Sequence, residues 1–348
     1  FGTTTFDLTV AGRPVELPRQ RVGMVRGAPI AWSEDASPGG ISLQGVTFAW
    51  SGPRYPEKME GEAAGEAALD PFRCDWSKAP YRTIYRIFEI HNGTDEPLRD
   101  VRLIARFSAR GEAQTGALLF SLADGKGKER RLQARFVNRS RPGEEGLERA
   151  FDEIPPGKFG RAIMVLHFYW ADEPRPDPDD YLDEECMAAV AEAQGWWHLR
   201  LKDTTRFRSD DRRLADLVTA WKVMATTKQA LPGGGISPMV NQHGVFARDQ
   251  GGMLLAFLRF GMWQEARRIL DYYYDCVRLT GEVRRRFPAA MDFPAQLSDP
   301  DWDRVEVADN ETAAWILLQH YWYYRATTDW QVLLDRWPFL VRLVRAHR

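Results

Sequence analysis

The apolar residues of this chain change period near residue 205, and that change limits what the chain can fold into more than any single motif does. From Phe1 to about Arg200 they come in short bursts broken by glycine and proline. Val101, Leu103, Ala105 and Phe107 alternate with Arg102, Ile104 and Arg106, the period of two of a half-buried strand. Tyr81 to Ile90 reads as its partner, with His91-Asn92-Gly93-Thr94-Asp95 as the turn that closes a hairpin. The longer apolar run from Ile163 to Trp170 suits a strand buried on both faces. These features predict a large antiparallel β-sandwich over residues 1–205. Within it, a short helix is expected from about Asp183 to Gln194, before Trp196 and Trp197 return to a final strand.

After residue 209 the period becomes about 3.6 residues. Leu214, Leu217, Val218, Trp221, Met224 and Ala225 fall on one face of a helix that starts after Ser209 or Asp210. A second helix groups Leu254, Phe257 and Leu258 and stops at Gly261. A third, from about Trp263 to Leu279, places Ala266, Ile269, Leu270, Tyr273 and Val277 inward and ends at Gly281. A fourth spans about Asn310 to Thr327 with Ala314, Leu317, Leu318 and Tyr321 inward. Thr328 or Asp329 opens a fifth, interrupted at Pro338. Residues 206–348 are therefore expected to form an α-helical domain, and the whole chain an α+β, multidomain protein.

Composition narrows the function classes. The 47 lysines and arginines nearly balance the 49 aspartates and glutamates, so the strongly basic footprint of a general nucleic-acid binder is absent. No apolar run reaches the roughly 18 residues of a membrane helix. Cys74, Cys186 and Cys276 are far apart and odd in number, which suggests neither a disulfide framework nor a zinc site and mildly favours a cytoplasmic location. The chain begins at Phe1, so a removed signal peptide stays open. The acidic, proline-rich stretch from Ala171 to Glu185 lacks the glycine and terminal glutamate of a calcium loop and reads as a solvated connector. No cofactor fingerprint or metal-ligand spacing occurs.

Two loops mix polar, glycine and aromatic residues at helix starts. The first runs from Pro232 through Gly233-Gly234-Gly235 to Phe246-Ala247-Arg248-Asp249-Gln250. Arg248 and Asp249 there offer a fork of donors beside a carboxylate, suited to adjacent sugar hydroxyls. They could equally be an ion pair at a helix cap. Gly251 and Gly252 follow in the first turns, at a cost of about 1 kcal/mol each against alanine, which implies close backbone approach. The second loop, Val307 to Trp315, places Asp309 and Glu311 at a helix start, where capping alone would explain them. Its functional reading makes one of them the general acid of a glycoside-cleaving pair beside the aromatic wall of Trp315. Arg284, Arg285 and Arg286 could meet phosphate, but a lone basic triplet more often lies in a solvated loop, and that is the reading taken.

The order of these motifs resembles the (α/α)6-toroid glycosidases and sugar phosphorylases, including glucoamylase, the glucosidase part of glycogen debranching enzyme, trehalase-like enzymes and cellobiose phosphorylase. The resemblance rests on Phe246-Ala247-Arg248-Asp249-Gln250, then Gly261 and Glu265-Ala266-Arg267-Arg268-Ile269-Leu270, then Glu311 four residues before Trp315, Tyr321-Trp322-Tyr323-Tyr324 and Thr328-Asp329. It implies a β-sandwich followed by a helical toroid, and an inverting α-glucosidase-type hydrolase acting on an oligosaccharide or glucoside. Phe246, Arg248, Asp249, Gln250 and Trp315 would then bind sugar, and Glu311 or Asp309 would be the acid. The family aspartate is here a glutamate, or is displaced to Asp309. About five or six helices can be placed after residue 209, too few to close six helix pairs. The toroid is thus incomplete, without its opposing carboxylate, unless a second chain or a missing segment completes it. A non-catalytic glycan-binding or scaffold subunit and a phosphate-dependent phosphorylase are the alternatives.

Overall fold

A computed structural model of the chain describes residues 4–25, 27–49, 82–114, 116–123, 129–137, 140–143, 146–172, 183–229, 233–236, 244–288, 293–294 and 296–346. It divides into two compact units, Phe1–Leu199 and Arg200–Arg348.

The first unit is built on strands β1 (Thr4–Val10), β2 (Arg13–Pro14), β3 (Arg19–Met24), β4 (Ala31–Ala36), β5 (Ile41–Ala49), β6 (Arg82–Asn92), β7 (Leu98–Phe107), β8 (Glu112–Gln114), β9 (Ala117–Ala123), β10 (Glu129–Phe136), β11 (Ser140–Gly143), β12 (Gly146–Ile154) and β13 (Phe159–Trp170). One sheet runs β11-β12-β7-β1-β2 and the other β3-β4-β5-β6-β13-β10-β9-β8, every pairing antiparallel. A single apolar core lies between them, with Leu8, Val101, Leu103, Ala105 and Leu147 from the first sheet meeting Leu43, Phe88, Ile90, Phe136 and Met164 from the second. The alternation along β7 is as its sequence requires, and Ile163 to Val165 on β13 are buried on both faces.

The hairpin expected from β6 to β7 does not form, because the two strands lie in different sheets. Buried Asn92 is the reason. Its Nδ2 donates to the carbonyl oxygens of Glu96 (2.8 Å) and Ile154 (2.9 Å), and its Oδ1 accepts from the Thr94 amide (2.9 Å) and hydroxyl (2.7 Å). These bonds make an Asx corner that carries the chain from one sheet to the other. The final strand at Trp196 and Trp197 is also replaced. Helix α1 (Asp183–Lys202) continues through them, because Cys186, Ala189, Ala193 and the tryptophan pair keep a spacing of three to four residues along one buried face. Of the connector expected from Ala171 to Glu185, residues 183–185 belong to α1, while residues 173–182, like Cys74 and Tyr81, lie outside the described residues.

The second unit contains α2 (Arg212–Lys228), β14 (Gly244–Val245), α3 (Ala247–Arg259), α4 (Trp263–Thr280), β15 (Glu282–Val283), β16 (Phe287–Pro288), β17 (Glu306–Val307), α5 (Asn310–Thr327), α6 (Gln331–Asp335) and α7 (Trp337–Arg345). Its core is centred on α4, where Ala266, Ile269, Leu270, Tyr273 and Val277 are fully buried against Leu254 and Phe257 of α3, Ile316 of α5 and Phe339 of α7. Gly281, at φ 69°, ends α4 in a left-handed cap.

Two expectations need correction here. The N-cap of α2 is Asp211, whose side chain accepts from the Arg213 amide, in place of Ser209 or Asp210. The inward faces of α2 and α5 are also rotated from those expected. On α2, Lys222, Val223, Ala225 and Thr226 are buried while Leu214, Leu217 and Met224 are exposed. On α5, Thr312, Ala313, Ile316, Gln319, His320 and Tyr323 are buried while Leu318 and Tyr321 are exposed. Polar side chains can take the inner face because they find partners there: Gln319 Nε2 donates to the Ala247 carbonyl (2.7 Å), and the Lys222 ammonium donates to the Thr205 carbonyl and to Thr204 Oγ1 (3.0 Å). The interruption expected at Pro338 is present: α6 ends at Asp335 and α7 begins at Trp337, with Pro338 in its first turn, where its missing N–H costs no helical bond.

Candidate functional site

Two short ladders bring the helix starts of the second unit together. Strand β14 pairs antiparallel with β16, and β15 pairs parallel with β17. Both ladders draw on one segment, residues 282–288, so β14, which leads into α3, and β17, which leads into α5, are fixed to the same piece of chain. The result is an open depression enclosing about 250 Å³ together with its solvent mouth, lined by Phe246, Ala247, Arg248, Arg285, Asp309, Glu311, Thr312 and Trp315.

Asp309 is the N-cap of α5. One carboxylate oxygen accepts from the Glu311 amide (3.1 Å) and the other from the Thr312 hydroxyl (2.8 Å), as the exposed first-turn donors of a helix require. Glu311 projects to solvent from that turn, and its Oε1 lies 3.4 Å from an Arg248 guanidinium nitrogen. Arg248 Nε is 3.6 Å from Asp249, so the arginine leans on a carboxylate from each helix start. All three side chains are more than a third exposed, and each such contact contributes about 1 kcal/mol or less. Together they place one guanidinium between the starts of α3 and α5.

The floor is aromatic. The Trp315 ring meets that of Trp322 edge-on, with centroids 6.2 Å apart, and both indoles press on Gly251, where a Cβ would come within 3.1 Å of Trp315 and 3.4 Å of Trp322. This explains Gly251 and leaves Gly252 aside, since nothing lies within 4 Å of a Cβ there.

Of the sugar-binding residues expected from sequence, Phe246, Arg248 and Trp315 line the depression, and Asp249 adjoins it through Arg248. Gln250 does not. Its side chain is buried, with Oε1 accepting from the Ile236 amide (3.1 Å) and Nε2 donating to the Ile236 carbonyl (2.5 Å), and no polar atom is left for a ligand. Gln229 anchors the same loop by donating to the carbonyls of Gly234 and Glu265 (both 2.9 Å). The glycine run at 233–235 lies against Tyr272 and the Arg268 backbone, so it serves packing. Of the other tryptophans of this unit, Trp221 packs on Phe257 and Phe260, and Trp263 lies outside the depression. His243 lies outside the described residues.

Sequence reasoning placed Arg285 in a solvated loop with its two neighbours, and the structure puts it in the lining of the depression. The three consecutive arginines have different surroundings: Arg284 pairs with Glu282 (2.5 Å), Arg286 covers Gly244, and Arg285 faces the depression. Among the described residues no cluster of side chains could hold a metal ion.

No known protein family matches the sequence, and no curated protein does. Solved structures do. A putative kojibiose phosphorylase from the human microbiome aligns with a TM-score of 0.53 at 5% identity, covering 94% of this chain and 46% of its own. A bacterial glucoamylase, solved in complex with acarbose, aligns with a TM-score of 0.51 at 10% identity, covering 98% and 51%. The chain thus spans about half the length of the solved structures it resembles, and at these identities the likeness is one of fold.

Proposed function

We propose that this chain is part of a carbohydrate-active enzyme that cleaves a glycosidic bond, an inverting α-glucosidase-type hydrolase in which the depression between the starts of α3 and α5 is a sugar subsite. The observation that carries the reading is the arrangement of Arg248, Glu311 and Trp315: a guanidinium fork, a solvent-facing carboxyl and an indole around one opening, within a fold shared with a glucoamylase and a phosphorylase. Arg248 and Asp249 position ring hydroxyls, Trp315 and Phe246 offer apolar surface to a sugar face, and Glu311 protonates the leaving oxygen. Asp309 is the weaker candidate for the acid because both of its oxygens already accept bonds in the cap.

Single displacement needs a second carboxylate roughly 6.5–9.5 Å across the bond, holding a water. Among the described residues the carboxylates lining the depression, Asp309 and Glu311, share one helix start, and in this reading the base comes from a further segment or a second chain that completes a toroid. The exposed Leu214, Leu217 and Met224 on α2, with Leu318 and Tyr321 on α5, are apolar faces such a completion would cover. The one-sided carboxylates also favour a second reading, a glycan-binding subunit without turnover.

The test is release of reducing sugar from α- and β-glucosides, with and without phosphate, by the chain and by its Glu311→Gln variant. Hydrolysis lost in the variant supports the acid role, and phosphate-dependent release moves the chain to the phosphorylases. Sugar binding without release leaves the binding subunit.

A further inference from the structure

The charged groups around the depression are not evenly committed. Asp309 is occupied by the Glu311 amide and the Thr312 hydroxyl. Glu311 and Asp249 face the guanidinium of Arg248. Arg285 also lines the opening, yet no carboxylate of the described residues lies within 4.0 Å of it. Its neighbours in sequence are held elsewhere, Arg284 by Glu282 and Arg286 over Gly244, and the short strands on either side, β15 and β16, fix the segment that carries it. A guanidinium is always charged and presents a planar fork of donors matched to two oxygens of a carboxylate or phosphate. A neutral sugar hydroxyl would use one or two of those donors and leave the charge without a counterpart.

We infer that Arg285 is a specificity residue of this site, and that the sugar it recognises carries an anionic oxygen group, a carboxylate or a phosphate monoester, on the ring seated against Trp315. The inference rests on the sugar-subsite reading given above and refines its substrate class. Arg248 holds the hydroxyl side of the ring, and Arg285 receives the charged substituent.

The experiment is calorimetric titration of the chain with methyl α-glucoside, methyl α-glucuronide and glucose 6-phosphate, repeated with Arg285→Gln and Arg285→Lys. Arg285 is exposed, so both variants should keep the melting temperature of the parent, which is checked first. The parent is expected to bind one of the anionic sugars about five-fold more tightly than the neutral one, the size of one solvent-exposed ion pair. That advantage should shrink as salt is raised. Arg285→Gln should abolish it while leaving the neutral sugar unaffected, and Arg285→Lys should keep part of it. Preference for the glucuronide identifies a carboxylate and preference for glucose 6-phosphate a phosphate. Equal binding of neutral and anionic sugars, or an advantage that survives Arg285→Gln, overturns the inference and leaves the subsite standing. Binding of no sugar at all removes the subsite and the inference together.

Discussion

Gly251 on α3 lies directly against the indole of Trp315 on α5, so close that a Cβ at the glycine would stand 3.1 Å from Cζ3 of the ring. Alanine in place of glycine within a helix ordinarily gains about 1 kcal/mol. At Gly251 that gain must displace an indole already wedged against Trp322. At Gly252 nothing is in the way. Gly252→Ala is therefore expected to stabilise the chain by about 1 kcal/mol, and Gly251→Ala to give no gain or a loss, with a shifted tryptophan emission. Urea unfolding of both variants decides it, and an equal gain at the two positions would show that Trp315 yields freely.

What the sequence revealed of this arrangement follows from how local each signal is. The bounds of α5 were legible because Asp309 caps and Thr328 ends the helix through bonds to residues close in sequence. The sheet exchange at Asn92 was not, since a polar turn looks the same whether the strands beside it pair or part. Its decisive bond goes to Ile154, 62 residues away. The inner faces of α2 and α5 were misjudged for a related reason. Each helix has two faces able to pack, and the apolar periodicity marked the one this fold leaves open. In the site, Arg248 and Glu311 stood out through their motifs, while Arg285 reaches the depression only because two ladders of two residue pairs each happen to share its segment.

Capping and catalysis can be separated at the start of α5. Asp309→Ala removes the acceptors of the Glu311 amide and the Thr312 hydroxyl and is expected to cost about 1 kcal/mol. Asp309→Asn keeps one acceptor and should cost only a few tenths of a kcal/mol. Under the proposed reading Asp309→Asn retains turnover and Glu311→Gln does not. The reverse pattern, measured as initial rates on a glucoside at equal folded fraction, would transfer the acid role to Asp309.

Arg200 and Glu265 form an ion pair at 2.9 Å whose side chains are only 4% and 6% exposed. Burial holds the Arg200 guanidinium below its ordinary range, and the neighbouring Glu265 carboxylate works in the opposite direction. Removing one charge strands the other, so Glu265→Gln is expected to destabilise the chain by about 3 kcal/mol or more. Replacing both residues together, as Arg200→Met with Glu265→Leu, should cost less than Glu265→Gln alone. Denaturant midpoints of the two variants test this, and a double variant worse than the single one would mean the pair contributes net stability.

His320 makes the stability of the helical unit depend on pH below neutrality. Its Nδ1 bonds to the Ile316 carbonyl at 2.8 Å, so that nitrogen carries the proton, while Nε2 is buried with no partner among the described residues. Burial pulls the ring down from its ordinary 6.5 to about 4, and the charge of Arg267 adds to the effect. The sign follows: above pH 6.5 the ring is neutral folded or unfolded and nothing is lost. Between pH 6.5 and 4 the unfolded chain takes up a proton that the folded one refuses, so stability falls as pH falls. The full loss is on the order of 3 kcal/mol and levels off below pH 4. Carboxylates elsewhere also titrate near the acid end, and a His320→Leu variant isolates the ring. Its stability, measured by urea unfolding from pH 7.5 to 4.5, should show a gentler slope than the parent over pH 6.5 to 4.5, and parallel slopes would place the acid sensitivity of this chain elsewhere.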